Sequence, residues 1–179
     1  MRLGAKEFRT LSESEGEKIM KKIRRNEIYL ILDDIIDTYN VGGFFRLAEA
    51  IAVKKVYLCG RTETPPNPKI VKSSVGTYKV VPWEYKKSAL DAVEEIRKIT
   101  GVKIFAVELD EKSVDYRKAD YSFPMAFIFG NEMYGMDEET MKLADQVVEI
   151  PMYGVNTSLN AMVSAGIVLY EALHQAKEK

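Results

Sequence analysis

The sequence predicts an α/β fold in which a mostly parallel sheet is covered by helices on both faces. Short runs that are apolar almost throughout recur along the 179 residues, as in residues 27–33 and 125–129. Strands of this kind are typical of parallel sheets that are buried on both sides. Segments with helical patterning separate the runs, and this alternation indicates a sheet wrapped by helices.

Local signals in the sequence place the elements in chain order. Ser12 and Glu15 form a capping-box pattern that predicts a helix ending near Arg25. Gly101 closes a helix predicted over 86–100, since glycine readily adopts the left-handed conformation that ends helices. The remaining helices are predicted at 43–52, 137–143 and 158–175, a Pro-rich loop at 61–68, and strands at 27–33, 55–59, 78–81, 102–109, 125–129 and 146–150.

Length and composition indicate one globular domain, which we expect to span residues 27–179 after a helical extension at 1–26. No apolar run is long enough to cross a bilayer and the first residues lack a signal-peptide core, so we expect a cytoplasmic protein with no membrane partner. The single cysteine, Cys59, excludes a multi-cysteine metal site, and we expect no metal. A net charge of −1 argues against a protein that coats nucleic acid by bulk charge, but it allows a local basic patch.

Two loop segments that follow predicted strands carry residues suited to chemistry. Asn40 and Arg46 follow the first strand, and Gly130 and Glu132 follow the strand that ends at Phe129. Ligands of open α/β sheets bind outside the carboxyl ends of the strands. Glycine lets the backbone approach a ligand closely, and a carboxylate at a strand end can act as an acid, a base or an orienting group. Taken alone, each segment is explained at least as well as an ordinary surface loop.

A third segment runs from Ile150 and Pro151 to the start of the last predicted helix, where Ser158 is a favoured N-cap residue. The start of a helix carries unpaired backbone N–H groups and a partial positive charge, so it can receive an anion. Asn160 adds an amide to the first turn. Many α/β proteins contain such a strand, loop and helix.

Together the three segments resemble the three motifs of the SpoU (TrmH-like) family of RNA ribose 2′-O-methyltransferases, in the SPOUT superfamily. The family patterns are approximately Asn-x-Gly-x-x-x-Arg, Gly-Asn-Glu-x-x-Gly and Ile-Pro-Met-x-Gly-x-x-x-Ser-Leu-Asn. The matching residues are Asn40, Gly42 and Arg46; Gly130, Asn131, Glu132 and Gly135; and Ile150, Pro151, Met152, Gly154, Ser158, Leu159 and Asn160. The resemblance runs from about Glu27 to the end of the chain. Met133 and Tyr134 depart from it, because small or basic residues are common at these positions in the family.

The resemblance implies S-adenosylmethionine as the cofactor, bound at a C-terminal trefoil knot. The implied cofactor-binding residues are Gly130, Ile150 and Leu159, with Leu109 nearby at the end of the preceding strand. Periodicity does not predict a knot, and threaded chains are rare among proteins, so the resemblance alone supplies this expectation.

The resemblance also implies that Arg46, Asn40 and Glu132 form the catalytic group. A guanidinium is almost never deprotonated in proteins, so we interpret Arg46 as a charge clamp on an RNA phosphate and on the developing alkoxide. In this interpretation the proton leaves to phosphate or water. Asn40 would bind the ribose or orient Arg46, and Glu132 would hold either of them in place.

RNA, either tRNA or rRNA, and a second copy of the chain are the implied partners. Ser158 and Asn160 would contact RNA at the helix start, and Lys18, Lys22 and Arg25 would neutralise phosphates from the N-terminal helix. A solvated helix face explains this basic cluster equally well. The last helix is apolar over more than one stripe, which predicts burial against both the sheet and a partner subunit, although a core helix within one chain is the alternative. Only about 26 residues precede the first strand, so we expect no additional N-terminal RNA-binding domain and slightly prefer tRNA.

Two other functions fit the same fold. The main alternative is a non-catalytic RNA-binding protein that keeps the knot, although the presence of every motif residue argues against it. A Rossmann-like oxidoreductase has no motif in its favour, since the chain lacks Gly-x-Gly-x-x-Gly.

Overall fold

Seven parallel strands form one sheet at the centre of the molecule. The computed structural model describes residues 3–179, so the first two residues of the predicted 1–26 extension lie outside the described part. The strands are β1 (Asn26–Asp33), β2 (Val53–Cys59), β3 (Trp83–Lys86), β4 (Lys103–Val107), β5 (Val114–Asp115), β6 (Met125–Phe129) and β7 (Gln146–Glu149). Their order is β3-β2-β1-β6-β4-β7-β5, and every neighbouring pair is parallel. The predicted parallel α/β sheet is confirmed.

Helices cover both faces of this sheet. They are α1 (Ala5–Thr10), α2 (Glu13–Met20), α3 (Thr38–Ala50), α4 (Pro68–Ser74), α5 (Ala89–Ile96), α6 (Glu138–Met141) and α7 (Ala161–Glu178). Successive strand residues point to opposite faces, so Leu30 packs in the core beneath α3 and α7, whereas Ile31 packs in the core beneath α5. None of the helices in residues 3–179 is both long and apolar enough to cross a membrane.

The predicted strand at 78–81 is wrong. Residues Thr77–Lys79 form a short 3-10 helix, and the edge strand follows at Trp83–Lys86. Tyr78 packs edge-on against Phe45 of α3, with ring centroids 6.4 Å apart, and Val80 and Val81 are buried. The apolar run therefore reflects burial of a turn under α3, which a short sequence window does not distinguish from a strand.

Two helix starts also differ from the prediction. Helix α3 begins at Thr38 rather than at residue 43, because the Asp37 carboxylate accepts the backbone N–H of Tyr39 and caps the helix. Asn40 therefore lies in the first turn of a helix rather than in a loop. Helix α7 begins at Ala161, and its N-cap is Asn160 rather than Ser158. The sequence prediction also missed α1, α4 and β5.

Candidate active site

The three sequence segments meet at the carboxyl edge of the sheet. Strands β1, β6, β4 and β7 are neighbours in that order, so the loops that follow them lie side by side. Asn40 comes from the segment after β1, Glu132 from the loop after β6, and Asn160 from the segment after β7. The site is thus assembled from residues that are up to 120 positions apart in sequence.

A chain of side-chain hydrogen bonds joins one residue from each segment. The Asn160 Nδ2 atom donates to Asn40 Oδ1 at 3.1 Å, and Asn40 Nδ2 donates to Glu132 Oε1 at 3.0 Å. A carboxylate only accepts, so Glu132 fixes which end of the Asn40 amide faces it. Asn40 is 8% exposed, and its amide is therefore held in one orientation at the edge of the core.

Glu132 also fastens the loop that leads into α3. Its carboxylate accepts the backbone N–H groups of Ile36 at 3.1 Å and Asp37 at 3.2 Å. The neighbouring Asn131 donates from Nδ2 to the carbonyl of Asp34 at 2.8 Å. The loops after β1 and β6 are therefore joined by both residues, and a carboxylate that accepts several backbone N–H groups is a strong orienting device.

Asn160 also caps the start of α7. Its Oδ1 atom accepts the N–H groups of Met162 at 2.9 Å and Val163 at 3.3 Å, so it caps the helix with one end of its amide while the other end binds Asn40. In the described chain Ser158 makes no such bond, which corrects the predicted cap. The helix start that was expected to receive an anion is instead already partly satisfied by a side chain.

Next to this hydrogen-bonded chain lies a cavity of about 370 Å³. All four residues predicted to bind the cofactor line it: Leu109, Gly130, Ile150 and Leu159. Leu109 and Leu159 are 45% and 38% exposed, so both leave apolar surface available to a ligand. The volume falls within the range of small-molecule pockets, and Ser158 lies on its rim.

Two further carboxylates that the sequence analysis missed also line the cavity. Glu108 follows β4 and accepts the N–H of Met136 at 3.1 Å, and Glu149 ends β7 and accepts the hydroxyl of Ser113 at 2.6 Å. With Glu132 they give the lining a negative charge, which favours a cationic ligand. In the sequence, both Glu108 and Glu149 stand at the end of a predicted strand, which could have marked them as candidates. Neither residue belongs to a recognisable motif.

Gly130 is required by the tight turn beside the cavity. A Cβ atom at this position would lie 2.4 Å from the Cγ atom of Met136 and 3.0 Å from the carbonyl carbon of Gly135. The backbone of the loop after β6 therefore folds back closely on itself. Only a residue without a side chain permits this approach.

Arg46 lies apart from the Asn160–Asn40–Glu132 chain. Six residues of α-helix rotate it by about 120° from Asn40, and its side chain is exposed. It shares its helix face with Tyr39 and with Gly43, whose Cβ position abuts Met162 of α7 at 2.8 Å. Two partners were expected for Glu132. The structure brings Asn40 to it, whereas the Arg46 side chain makes no hydrogen bond to any residue from 3 to 179.

The basic residues of the N-terminal segment divide into two groups. Lys18 and Lys22 are exposed. Arg25 is half-buried, and it donates to the carbonyl of Val53 at 3.0 Å and to that of Val80. Arg25 thus joins the segment after α2 to the sheet edge, because both terminal nitrogens of its guanidinium bind backbone carbonyls.

Comparison with known proteins gives consistent matches over nearly the whole chain. A sequence model of the SpoU rRNA Methylase family matches residues 27–170. The chain is 31% identical over 172 residues to a tRNA (guanosine(18)-2′-O)-methyltransferase of Thermus thermophilus, a match that covers 94% of this chain and 86% of that protein.

Solved structures agree with the sequence matches. The TrmH/SpoU tRNA modifying enzyme of A. aeolicus superimposes with a TM-score of 0.77 at 28% identity, covering 93% of this chain and 84% of that one. The SpoU methyltransferase AviRb from Streptomyces viridochromogenes, in complex with the cofactor AdoMet, gives a TM-score of 0.76 at 29% identity and covers 86% of this chain and 59% of that one.

Proposed function

This chain belongs to the SpoU rRNA methylase family, and on that basis we propose that it transfers a methyl group from S-adenosylmethionine to a ribose 2′-hydroxyl of RNA. Among RNA classes we propose tRNA. The relatives named as tRNA (guanosine(18)-2′-O)-methyltransferases from Thermus thermophilus and Aquifex aeolicus support this choice, since each matches more than nine-tenths of this chain. We also propose a cytoplasmic location, which is consistent with an RNA substrate.

One observation carries the proposal: the three motifs converge on one hydrogen-bonded chain beside one cavity. Asn160, Asn40 and Glu132 are linked at 3.1 and 3.0 Å, and the cavity next to them is lined by the four residues expected to hold the cofactor. Convergent polar groups beside an apolar pocket are the usual arrangement of a ligand-binding site, and here the central residue, Asn40, is also buried.

The cavity suits S-adenosylmethionine in shape and charge. Exposed Leu109 and Leu159 offer apolar surface to an adenine ring, and Glu108 and Glu149 offer negative charge to a sulfonium and an ammonium group. When bound there, the cofactor supplies a methyl group made electrophilic by its positive sulfur. The backbone around Gly130 and Ile150 would hold it next to Glu132.

The chain itself must orient the ribose and stabilise charge. Arg46, exposed on α3, would bind an RNA phosphate and the oxygen that becomes negative as the hydroxyl proton leaves to phosphate or water. Asn40 is held by Glu132 and Asn160, so it presents a fixed polar edge to the ribose. Asn160 would act through Asn40, while Ser158 is free to contact RNA. A preorganised arrangement of this kind lowers the cost of alignment.

We also propose a homodimer built on the exposed face of α7. Val163 is 44% exposed and Tyr170 is 53% exposed, and Ile167 lies between them on the same side of the helix. A helix packed on the sheet with one face and apolar on the other is suited to a partner helix. Arg46 lies on α3 near the start of this face, so a second copy would help to enclose the site.

The trefoil knot and the domain limits remain part of the proposal. The knot is supported by the strand order, in which β7 lies beyond β4 while α7 returns to pack on α3. Residues 27–179 would form the methyltransferase domain, and α1 and α2 would form the helical extension at 1–26.

The proposal is tested by incubating the protein with isotope-labelled S-adenosylmethionine and total RNA, followed by mass-spectrometric mapping of any methylated ribose. We expect label in tRNA at one ribose 2′-oxygen. Arg46→Ala should abolish transfer while the dissociation constant for S-adenosylmethionine changes less than about twofold. Arg46→Lys should retain part of the activity, because it keeps the charge but loses the forked geometry. Failure to label any RNA would instead favour the non-catalytic RNA-binding alternative.

A further inference from the structure

A second groove opens beside the candidate active site, on the outer side of Glu132. It has a volume of about 580 Å³, and its lining includes Ile36, Asp37, Tyr39, Arg61, Glu63 and Lys69. We call it the Tyr39 groove. None of these residues belongs to the three motifs, so the function proposed above assigns the groove no role.

The groove is firmly connected to the catalytic group. Its floor, Ile36 and Asp37, is bound through backbone N–H groups to the Glu132 carboxylate, which also holds Asn40. Tyr39 is the residue immediately before Asn40, and it lies two helical turns from Arg46 on the same face of α3. A ligand that extends from the ribose site along this face reaches Tyr39 next.

The far wall of the groove is also fixed. The Asp34 carboxylate accepts the backbone N–H of Arg61 at 2.7 Å and its Nε and Nη2 atoms at 3.0 and 2.9 Å. Buried Thr62 accepts the N–H of Ile35 at 2.9 Å and donates to the carbonyl of Leu32 at 3.0 Å. The loop after β2 is thus joined to the loop after β1, and the groove is preformed rather than dependent on a mobile loop.

Gly60 makes this wall possible. It has a φ of +61°, and a Cβ atom there would lie 2.2 Å from Asp34 Oδ1. Asp34 itself adopts a φ of 55°, a left-handed conformation that is uncommon for a residue with a side chain. The backbone therefore accepts strain to place the Asp34–Arg61 pair at the groove.

The chemistry of the groove fits a flat, neutral group. Ile36 and Tyr39 are 48% and 52% exposed, so they offer apolar and aromatic surface. Arg61 is already paired with Asp34, and the charge of Lys69 is outweighed by those of Asp37 and Glu63, so the groove has no net attraction for a phosphate. An aromatic ring and a guanidinium plane are the surfaces on which unpaired RNA bases stack.

Tyr134 is a second exposed aromatic residue, and it lines the neighbouring cavity rather than the groove. It follows Glu132 by two residues, is 79% exposed, and is one of the positions where this chain departs from the family pattern. The hydrogen bonds to Asp34 raise the pKa of Arg61 above its ordinary value, so the guanidinium stays charged at the groove. Tyr39 and Arg61 are therefore the stacking surfaces that line the groove itself.

We propose that the Tyr39 groove receives an unpaired nucleobase of the RNA substrate, in the same single-stranded segment as the methylated ribose, and that Tyr39 stacks on it. This inference rests on the proposed function for the identity of the ligand. It goes beyond that function by assigning RNA selection to a surface outside the three motifs. An unpaired base at this position would be needed for tight binding, so a fully paired target helix would be a poor substrate.

The test compares Tyr39→Ala, Tyr39→Phe and Leu90→Ala, with unfractionated tRNA as the probe. Leu90 is a matched control because it is 48% exposed and lies on α5, on the opposite face of the sheet. Loss of one stacked base should raise the Kd for tRNA about 5- to 150-fold in Tyr39→Ala. Tyr39→Phe should restore most of the affinity because the ring remains, and Leu90→Ala should bind as the wild type does.

Four additional measurements separate the possible causes. The KM for tRNA should rise with the Kd in Tyr39→Ala, while the Kd for S-adenosylmethionine should stay within about twofold of the wild-type value. Ultraviolet cross-linking of the complex should place Tyr39 on a base of the segment that is methylated. Light scattering should give the same oligomeric state for all variants.

An unchanged Kd for tRNA in Tyr39→Ala would overturn the inference even if the protein methylates tRNA. A variant that changes oligomeric state would also overturn it, because the groove would then be covered by a second copy. Conversely, the wild-type protein could bind tRNA through Tyr39 and never methylate it. That result would refute the proposed function, and the proposal that the groove binds a base would stand. Absence of tRNA binding by the wild type would refute both.

Discussion

Asn160 both caps helix α7 and orients Asn40, and two substitutions at this position separate the two roles. Asn160→Ala removes both ends of the amide: the cap on the N–H groups of Met162 and Val163, and the donor to Asn40. Loss of an N-cap side chain costs about 0.5–2 kcal/mol, and the hydrogen bond to Asn40 contributes about 0.5–1.5 kcal/mol. We expect the free energy of unfolding of this variant to fall by about 1–3.5 kcal/mol.

Asn160→Asp retains the cap and loses only the donor. Aspartate is as good an N-cap as asparagine, and its charge interacts favourably with the helix start. A carboxylate oxygen would then face Asn40 Oδ1, where the distance is now 3.1 Å. Rotation of the Asn40 amide does not resolve the conflict, because it would turn the same oxygen towards Glu132.

Chemical denaturation and methyl-transfer kinetics, measured on the same preparations, distinguish the two contributions. Asn160→Asp should unfold within about 1 kcal/mol of the wild type, yet its kcat should fall about 5- to 150-fold, which corresponds to about 1–3 kcal/mol for a misplaced polar group. Ser158→Ala should leave the free energy of unfolding within about 0.5 kcal/mol of the wild-type value, because Ser158 does not cap α7. A wild-type kcat in Asn160→Asp would refute a role for this hydrogen-bonded chain in positioning the substrate.

Three other predictions concern the cavity, the stability of the fold and the proposed dimer. Gly130→Ala should weaken S-adenosylmethionine binding at least tenfold by calorimetry, since its Cβ would lie 2.4 Å from Met136 Cγ; unchanged affinity would show that the turn relaxes freely. The hydrogen bond from Lys86 is the main reason that the pKa of Glu95 falls from its ordinary 4.5 to about 2. The ionised Glu95 carboxylate therefore stabilises the fold above pH 4.5, and this stabilisation is lost as the pH falls towards 2. Glu95→Gln should therefore flatten the dependence of unfolding free energy on pH in that window, and an unaltered slope in urea titrations would contradict this assignment. Tyr170→Asp should convert the proposed dimer to a monomer in light scattering without unfolding α7, because the side chain is 53% exposed in the single chain; a variant that stays dimeric would place the interface elsewhere.

The fold was largely predictable because the buried strands are recognisable from their own apolar sequences. The run at Met125–Phe129 is buried at every position and was predicted with its observed bounds. The prediction failed where an apolar run is buried for another reason, as at Tyr78 and Val81, which pack against other elements without joining the sheet. Local patterns report burial, but they do not report which element provides it.

The helix starts show a related limit. Both Ser158 and Asn160 are favoured N-cap residues, and both precede apolar helical sequence. The choice between them depends on Asn40, which binds the free end of the Asn160 amide from another helix. Arg25 is similar: its sequence neighbours suggest a solvated basic face, whereas its hydrogen bonds to Val53 and Val80 attach it to the sheet edge.

The parallel α/β class, the position of most strands and the three motifs that identify the family all follow from the order of the amino acids. They do so because strand burial and motif spacing are properties of short segments. The contacts made in three dimensions were needed to establish that Glu132 holds Asn40 rather than Arg46, that Glu108 and Glu149 line the cavity, and that Tyr39 borders a second groove. These contacts join residues from different strand ends, and their distances are set by the order in which the strands pair, which no local pattern encodes.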